Sequence, residues 1–155
     1  MTIQDQREVV AEHPQLRVVK RYKLNASQPT GLTYDARTNC LYVSVRYAVD
    51  SFNTNTGAEV NRVPAAAGVD TLWLDPESRT VYAAGGGSLL MIRADGQHLA
   101  IADELSPDVK GHTVAYDPEK KMVFWPGARE GQSKLLILWP MANQAEGDNA
   151  EAGVP

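Results

Sequence analysis

The strongest constraint on the fold of this 155-residue chain is an internal repeat. Three segments align, each with an apolar residue, then an aspartate, then an aromatic residue at matching spacings. The apolar positions are Leu32, Leu72 and Val114, the aspartates are Asp35, Asp75 and Asp117, and the aromatic residues are Tyr42, Tyr82 and Phe124. Each series steps by 40 and then by 42 residues. Short alternating strands at this period are typical of β-propeller blades, which are four-stranded sheets of about 40 to 50 residues.

Helical repeats of similar length fit the sequence poorly. A helical repeat needs ten or more residues at a 3.6-residue period, and no stretch longer than ten residues here is free of Gly, Pro, Asn and Asp. The aspartate precedes a proline at Asp75 and Asp117, which is type I turn chemistry. We therefore expect the repeated aspartates to cap turns rather than to act as catalytic carboxylates.

Each full repeat supplies four strands, named a to d from the centre of a propeller outwards. Gly57 and Gly96 mark the turn between strands c and d. Residues 16–24 form a strand that precedes the first a strand, so they occupy a d position, and residues 133–139 form the last c strand. The sequence therefore predicts an all-β half propeller of three antiparallel blades, with the strand order d, abcd, abcd, abc.

Three blades cannot close a ring, because known propellers have about four to eight. We expect a homodimer with six blades, in which the first strand of each copy completes the last blade of the other. The residues expected at this seam are Val18, Tyr22, Leu24, Leu136, Leu138 and Trp139. The alternative is that the chain is one part of a longer propeller.

The sequence predicts three segments. Residues 1–14 are charged and are expected to be a flexible arm or a short helix, and residues 15–141 form the propeller unit. Residues 142–155 carry Glu146, Asp148 and Glu151 with few apolar residues, so we expect a disordered acidic tail. The first residues lack the apolar core of a signal peptide, which makes a cytoplasmic location the default expectation.

Composition argues against two classes of partner. The formal net charge is -4, and no cluster of Lys and Arg marks a site for nucleic acid or for an anionic lipid surface. No run of about 18 apolar residues predicts a membrane-spanning helix. We therefore expect neither nucleic acid nor membrane as a partner.

The first repeat resembles the YVTN-type bacterial β-propellers, which are related to the NHL and gluconolactonase-like propellers. The residues that carry the resemblance are Pro29-Thr30-Gly31-Leu32, Tyr34-Asp35, Asn39 and Leu41-Tyr42-Val43-Ser44. The similarity covers about residues 16–141 and decays in the later repeats. It implies a propeller fold and no particular activity, because such propellers are mostly recognition scaffolds.

Polar residues align at the start of the a strands, which line the central channel of a propeller. These residues are Thr30, Asp70 and His112. A symmetric dimer would place two of each around the channel, where they could hold an ion or a small ligand. Because Asp and His coordinate divalent cations, Asp70 and His112 are candidate metal ligands. The alternative interpretation is hydrogen bonding to strand ends, turns and water.

The resemblance also raises the alternative of a metal-dependent, lactonase-like hydrolase with its site in the channel. Such relatives hold a divalent ion with a Glu, an Asn and Asp residues, whereas the aligned set here offers only the carboxylate of Asp70. No catalytic residue is predicted. The sequence therefore favours a non-enzymatic binding or structural module that self-associates, with no cofactor and with an unidentified small-molecule or protein ligand.

Several other residues suggest chemistry but have simpler interpretations. Cys40 is expected to be a small core residue. The glycines at residues 85–87 join two strands and are expected to form a flexible b–c loop rather than a phosphate cradle. Trp73 and Trp125 are expected to pack in the core or between blades, and Trp139 to lie at the subunit seam.

Overall fold

The computed structural model describes residues 1–12 and 18–139, and the elements it contains there are all β-strands. The strands are β1 (Thr2–Ile3), β2 (Glu8–Glu12), β3 (Val18–Lys23), β4 (Leu32–Asp35), β5 (Cys40–Val45), β6 (Ala48–Asn53), β7 (Glu59–Pro64), β8 (Leu72–Asp75), β9 (Thr80–Gly85), β10 (Ser88–Asp95), β11 (His98–Leu105), β12 (Ala115–Asp117), β13 (Met122–Arg129) and β14 (Gln132–Leu138). The predicted acidic tail, residues 142–155, lies outside the described residues. Within the described ranges, no helix is long and apolar enough to cross a membrane.

The strands form four antiparallel sheets that follow one another along the chain, which we call blades 1 to 4. Blade 1 is β1–β2–β3, blade 2 is β4–β5–β6–β7, blade 3 is β8–β9–β10–β11, and blade 4 is β12–β13–β14. Every pairing joins consecutive strands, so each blade is a meander. This arrangement confirms the predicted all-β class and the four-stranded repeat. The last strand of blade 4 within the described residues, β14, holds the predicted c position.

The prediction of a flexible N-terminal arm is wrong for residues 1–12. These residues form β1 and β2, and β2 pairs with β3 through Val9 opposite Tyr22. Val9 and Val10 are buried. Of the charged residues that suggested a solvated arm, Asp5 and Arg7 lie in the turn between β1 and β2, and Glu8 and Glu12 lie on β2. The described residues therefore form fourteen strands rather than the predicted twelve, and β3 is not an unpaired strand.

Apolar side chains join successive blades face to face. Alternate residues of each strand point to opposite faces of a sheet, so every inner blade contributes to two clusters. The clusters include Val9, Tyr22 and Phe52 between blades 1 and 2, Tyr42, Val49 and Ile92 between blades 2 and 3, and Tyr82, Tyr116 and Trp125 between blades 3 and 4. Burying one large apolar side chain stabilises the fold by about 1.5–3 kcal/mol, so these junctions are the main source of stability.

The repeated aspartates cap the turn between strands a and b, as predicted. A carboxylate oxygen of Asp35 accepts the backbone N–H of Arg37 at 3.0 Å, and Asp75 accepts that of Glu77 at 3.0 Å. Asp117 does the same with Glu119 at 2.9 Å. Each turn then ends on a residue with a left-handed backbone; these residues are Asn39 (φ 54°), Arg79 (φ 59°) and Lys121 (φ 55°).

Two of these aspartates also bind the following blade. Arg79 of blade 3 donates to Asp35 of blade 2 at 2.6 Å, and the Tyr116 hydroxyl of blade 4 donates to Asp75 of blade 3 at 2.9 Å. Burial acts to raise the pKa of Asp35, but hydrogen bonds from Thr38 and Arg79 outweigh it and hold that pKa below its usual value. The pKa of Asp75 is likewise lowered: burial opposes the shift, and hydrogen bonds, including those from Ser78 and Tyr116, outweigh burial. Asp35 and Asp75 thus stabilise the contact with the next blade as well as their own turns.

Candidate functional site

The predicted channel residues lie at the junctions between blades. The Thr30 hydroxyl donates to the Val69 carbonyl, which belongs to the linker entering blade 3. The Asp70 backbone N–H donates to the His112 carbonyl at 2.8 Å, and His112 Nδ1 lies 2.6 Å from the Gly68 carbonyl. The structure therefore brings Asp70 and His112 together through backbone contacts. The structure shows that these residues form hydrogen bonds between blades. Their role in binding a metal ion or a small molecule stays a prediction.

A metal site at these residues lacks support in the geometry. Among the residues that the structure describes, no group of three or more His, Cys, Asp and Glu side chains is placed to hold a metal ion. Asp70 and His112 are both exposed. The arrangement therefore offers no particular observation in favour of the lactonase-like alternative.

The other singled-out residues divide between the core and the surface. Cys40 is buried, and its thiol contacts the Gly96 carbonyl at 3.0 Å, in agreement with a core role. Trp125 is fully buried as predicted, but Trp73 is 42% exposed, so its assignment to the core is wrong. Trp73 lies on the short innermost strand of blade 3, where the next blade does not cover it. Gly86 and Gly87 form the tight two-residue b–c turn between β9 and β10.

The predicted seam is partly an internal junction. Tyr22 and Leu24 are buried against blade 2 of the same chain, so they are not available to a second copy. Leu136 and Leu138 are half-buried against blade 3. Val18 and Trp139 remain exposed, at 47% and 64%. The seam was misassigned because β1 and β2 were not recognised, and β3 therefore seemed to lack a partner.

The outer face of blade 4 carries apolar residues that no described strand covers. We call it the end face and define it by Phe124, Leu135 and Ile137. Phe124 pairs with Ile137, and directly opposed residues share one face of a sheet. The equivalent aromatic residues Tyr42 and Tyr82 are 0% and 2% exposed, because blades 3 and 4 cover them. Leu135 and Ile137, in contrast, are 59% and 43% exposed.

A groove of about 870 Å³ opens between blades 3 and 4 beside β14. It lies where a fourth strand of blade 4 would pack, and no described strand pairs with the outer edge of β14. Its lining includes Tyr82, Met91, Leu105, Tyr116, Leu138 and Trp139. Edge strands and open apolar faces are surfaces that proteins cover by pairing or by association.

An ion pair with a buried carboxylate, in blade 2, was not predicted from the sequence. The Asp50 carboxylate is fully buried and accepts two hydrogen bonds from Arg62, from Nε at 2.7 Å and from Nη2 at 2.7 Å. The two residues are directly opposite each other on β6 and β7. This bidentate geometry satisfies the buried charge, which assigns Asp50 to the fold rather than to chemistry.

Solved structures with this fold are β-propeller-like. Hydrazine synthase from Kuenenia stuttgartiensis superimposes with a TM-score of 0.75 and 14% identity, over 87% of this chain and 40% of that one. A dihydro-heme d1 dehydrogenase gives 0.63 and 13%, over 87% and 34%. A protein of unknown function from Desulfotomaculum acetoxidans gives 0.74 and 10%, over 93% and 49%. At these identities the likeness establishes the fold alone, and this chain spans less than half of each structure.

Sequence comparison adds little about function. Fructokinase-2 from Solanum lycopersicum is 27% identical over 126 residues, which cover 78% of this chain and 37% of the relative. A probable fructokinase-4 from Arabidopsis thaliana is 27% identical over 125 residues, with 77% and 36% covered. No family model matches the chain. The chain thus spans little more than a third of these curated relatives, and its established identity is that of a β-propeller-like module.

Proposed function

We propose that this chain is a non-enzymatic β-propeller module of the YVTN type, a scaffold that binds a second copy of itself through the end face of blade 4. The observation that carries the proposal is the exposure of Leu135 and Ile137 on that face. The matching faces of blades 2 and 3 are each covered by the next blade. A blade of a second copy can bury the end face in the way that the next blade buries the faces of blades 2 and 3.

The opposite end of the molecule supports a partner of this kind. Val18 and Val19 of β3 are 47% and 55% exposed in blade 1. In a two-fold ring, blade 4 of one copy packs against blade 1 of the other, so both apolar surfaces are covered at once. Self-association thereby removes two exposed patches with one symmetric arrangement.

The number of blades in this ring differs from the sequence prediction. With β1 to β3 forming a blade, the described residues of each copy contribute four blades, and two copies contribute eight rather than six. Eight remains within the range of about four to eight in known propellers. Strand exchange by β3 is not part of the proposal, because β3 already pairs with β2.

Light scattering on a size-exclusion column tests the proposal. We expect a mass of about 34 kDa, twice the chain mass of 16.9 kDa, at micromolar concentration. The variant Ile137→Lys places a charge on the end face and should shift the mass to 16.9 kDa, and Trp139→Ala should weaken association.

The matched control is Ile101→Lys on β11, because Ile101 is 42% exposed and Ile137 is 43% exposed. This control should keep the mass of the wild type. A wild-type monomer at millimolar concentration, or equal dissociation of both lysine variants, would show that the end face does not mediate self-association.

A further inference from the structure

Two residues have a left-handed backbone conformation, although the next repeat has glycine at each equivalent position. Gln28 has φ 57° and Tyr47 has φ 64°. Forty residues later in each case stand Gly68, with φ 79°, and Gly87, with φ 93°. The left-handed region is unfavourable for residues with a Cβ atom, and it is rare for a bulky aromatic residue. Six other described residues that are not glycine have the same conformation, mainly in turns between strands, and Tyr47 is the one aromatic residue among the eight. An aromatic residue held in this conformation therefore suggests a functional role.

Both strained residues line one cavity of about 300 Å³. The cavity lies where the turn between β5 and β6 meets the linkers that enter blades 2 and 3. Its polar lining is Gln4, Gln28, Thr30, Arg46 and Tyr47, and its other lining residues are Val45, Ala67, Gly68 and Val69. The volume is at the lower end of the range for ligand sites, so it suits a small molecule.

The charge of the lining selects an anion. Arg46 is the only charged residue among the nine that line the cavity. Its guanidinium lies over the Tyr47 ring, 5.2 Å from the ring centroid, and it forms no ion pair with the part of the chain that the structure describes. A guanidinium binds a carboxylate through two parallel hydrogen bonds.

The remaining polar groups suit a hydroxylated ligand. Gln4 and Gln28 are exposed, and each carries an amide that can donate and accept hydrogen bonds. Tyr47 is 57% exposed, so part of its ring is accessible to a ligand beside the Arg46 guanidinium. Aromatic faces pack against the apolar surface of small polar molecules while their edges remain hydrated.

We propose that this cavity binds a small hydroxy carboxylate of about the size of a hexuronic acid. Arg46 binds the carboxylate, Gln4 and Gln28 bind hydroxyl groups, and the Tyr47 ring covers the apolar face of the ligand. The cavity shares no residue with the end face, so this inference does not depend on self-association.

Calorimetric titration of the full chain tests the inference, with D-glucuronate as the probe. A ligand of this size is expected to bind in the millimolar range or tighter. D-Glucose, which lacks the carboxylate, and inorganic phosphate, which lacks the carbon-bound hydroxyls, should each bind at least ten-fold more weakly. Absence of glucuronate binding up to about 50 mM, or equal binding of glucose or phosphate, overturns the assignment.

Substitution of Tyr47 separates binding from folding. Tyr47→Gly relieves the backbone strain, so the Tm should rise by about 2–4 °C while glucuronate affinity falls at least ten-fold. Tyr47→Asn provides a second variant without the ring, because Asn tolerates the left-handed region. If both variants retain wild-type affinity, Tyr47 is not part of a binding site.

Substitution of arginine tests the charge. Arg46→Ala should lower glucuronate affinity at least ten-fold. Arg37→Ala is the matched control, because Arg37 is also exposed and lies in the turn at the other end of β5. Equal loss in both arginine variants would indicate a general effect of net charge and would contradict the proposed site.

Discussion

Blades 3 and 4 carry the same aromatic residue position in different surroundings. Tyr82 of blade 3 is almost completely buried and stacks on Tyr116 of blade 4, with ring centroids 5.2 Å apart. Phe124 of blade 4 has the same place in its sheet but has no following blade over it in the described structure. The comparison shows that a single blade cannot bury its own apolar face. That face is buried only where the next blade packs against it.

The aspartates show the same contrast in polar form. Asp35 and Asp75 each accept a hydrogen bond from the next blade as well as from their own turn. Asp117 accepts hydrogen bonds from Glu119 and Lys120 of its own turn, and no described residue of another blade donates to it. The turn role is therefore intrinsic to the repeat, whereas the inter-blade role depends on position in the chain.

Truncation of the aromatic position should have the largest effect. Tyr82→Ala leaves a cavity between two blades and should lower the free energy of unfolding by about 4 kcal/mol. Phe124→Ala removes a half-exposed ring and should cost roughly 1–2 kcal/mol in dilute solution. Urea denaturation measures both. If the loss at Phe124 grows with protein concentration, a second copy covers the end face; equal losses in dilute solution would contradict the contrast.

Neutralising the aspartates should have the next largest effect. Asp35→Asn leaves the buried Arg79 guanidinium without its counter-charge and should lower the free energy of unfolding by about 3 kcal/mol. Asp117→Asn retains an oxygen that can cap the turn and should change it by less than about 1 kcal/mol. The double variant with Arg79→Met should recover part of the loss at Asp35. If the loss in the free energy of unfolding of the double variant equals the sum of the losses of the two single variants, Asp35 and Arg79 do not stabilise each other.

Acid should weaken the blade junctions that contain Asp35 and Asp75. Their pKa values are lowered in the folded state, so the unfolded chain takes up protons first. The stabilisation is complete above the unfolded value of about 3.9 and is lost as the pH falls from there through the folded pKa values. Chemical denaturation between pH 6 and pH 2 should show a shallower loss for Asp35→Asn than for the wild type. Parallel curves would disagree with this assignment.

The smallest effect is expected for Lys121, the last residue of the turn in blade 4. Arg79 and Lys121 occupy the same turn position, and each binds a carboxylate of the preceding blade, Arg79 that of Asp35 and Lys121 that of Glu77. The Lys121 pair is solvent-exposed, so Lys121→Ala should leave the urea midpoint unchanged within error. Arg79→Ala should lower the midpoint clearly. A comparable shift in both variants would mean that exposure does not distinguish the two pairs.

The parts of the fold that could be predicted are those that depend on local chemistry. The apolar period and the aspartate turns predict the strands of blades 2 to 4. Blade 1 was missed because β1 has two residues and because Val9 and Val10 alone carry the apolar signal of β2 among charged neighbours. Which residues face another blade depends on contacts far apart in the chain, and hence Trp73 and Tyr22 were misassigned.

The candidate site was only partly accessible from the sequence. Thr30, Asp70 and His112 were found by alignment, but their hydrogen bonds to neighbouring blades depend on backbone carbonyls that a sequence does not display. A signal for the cavity at Tyr47 was present, since Gln28 and Tyr47 each precede a glycine by 40 residues. That signal concerns backbone conformation. An alignment based on apolar and acidic residues does not compare the positions that require a left-handed backbone.

The open face of blade 4 has a consequence for how such arrays can lengthen. Adding one blade covers one apolar face and presents another of the same kind, so the uncovered area of an arc does not depend on its length. Each added blade contributes the same junction energy, as in other repeat proteins whose units contact only their neighbours. Gene duplication can therefore extend the arc by whole units without a growing penalty in solubility. Only closure into a ring eliminates the uncovered area, and it does so in a single step.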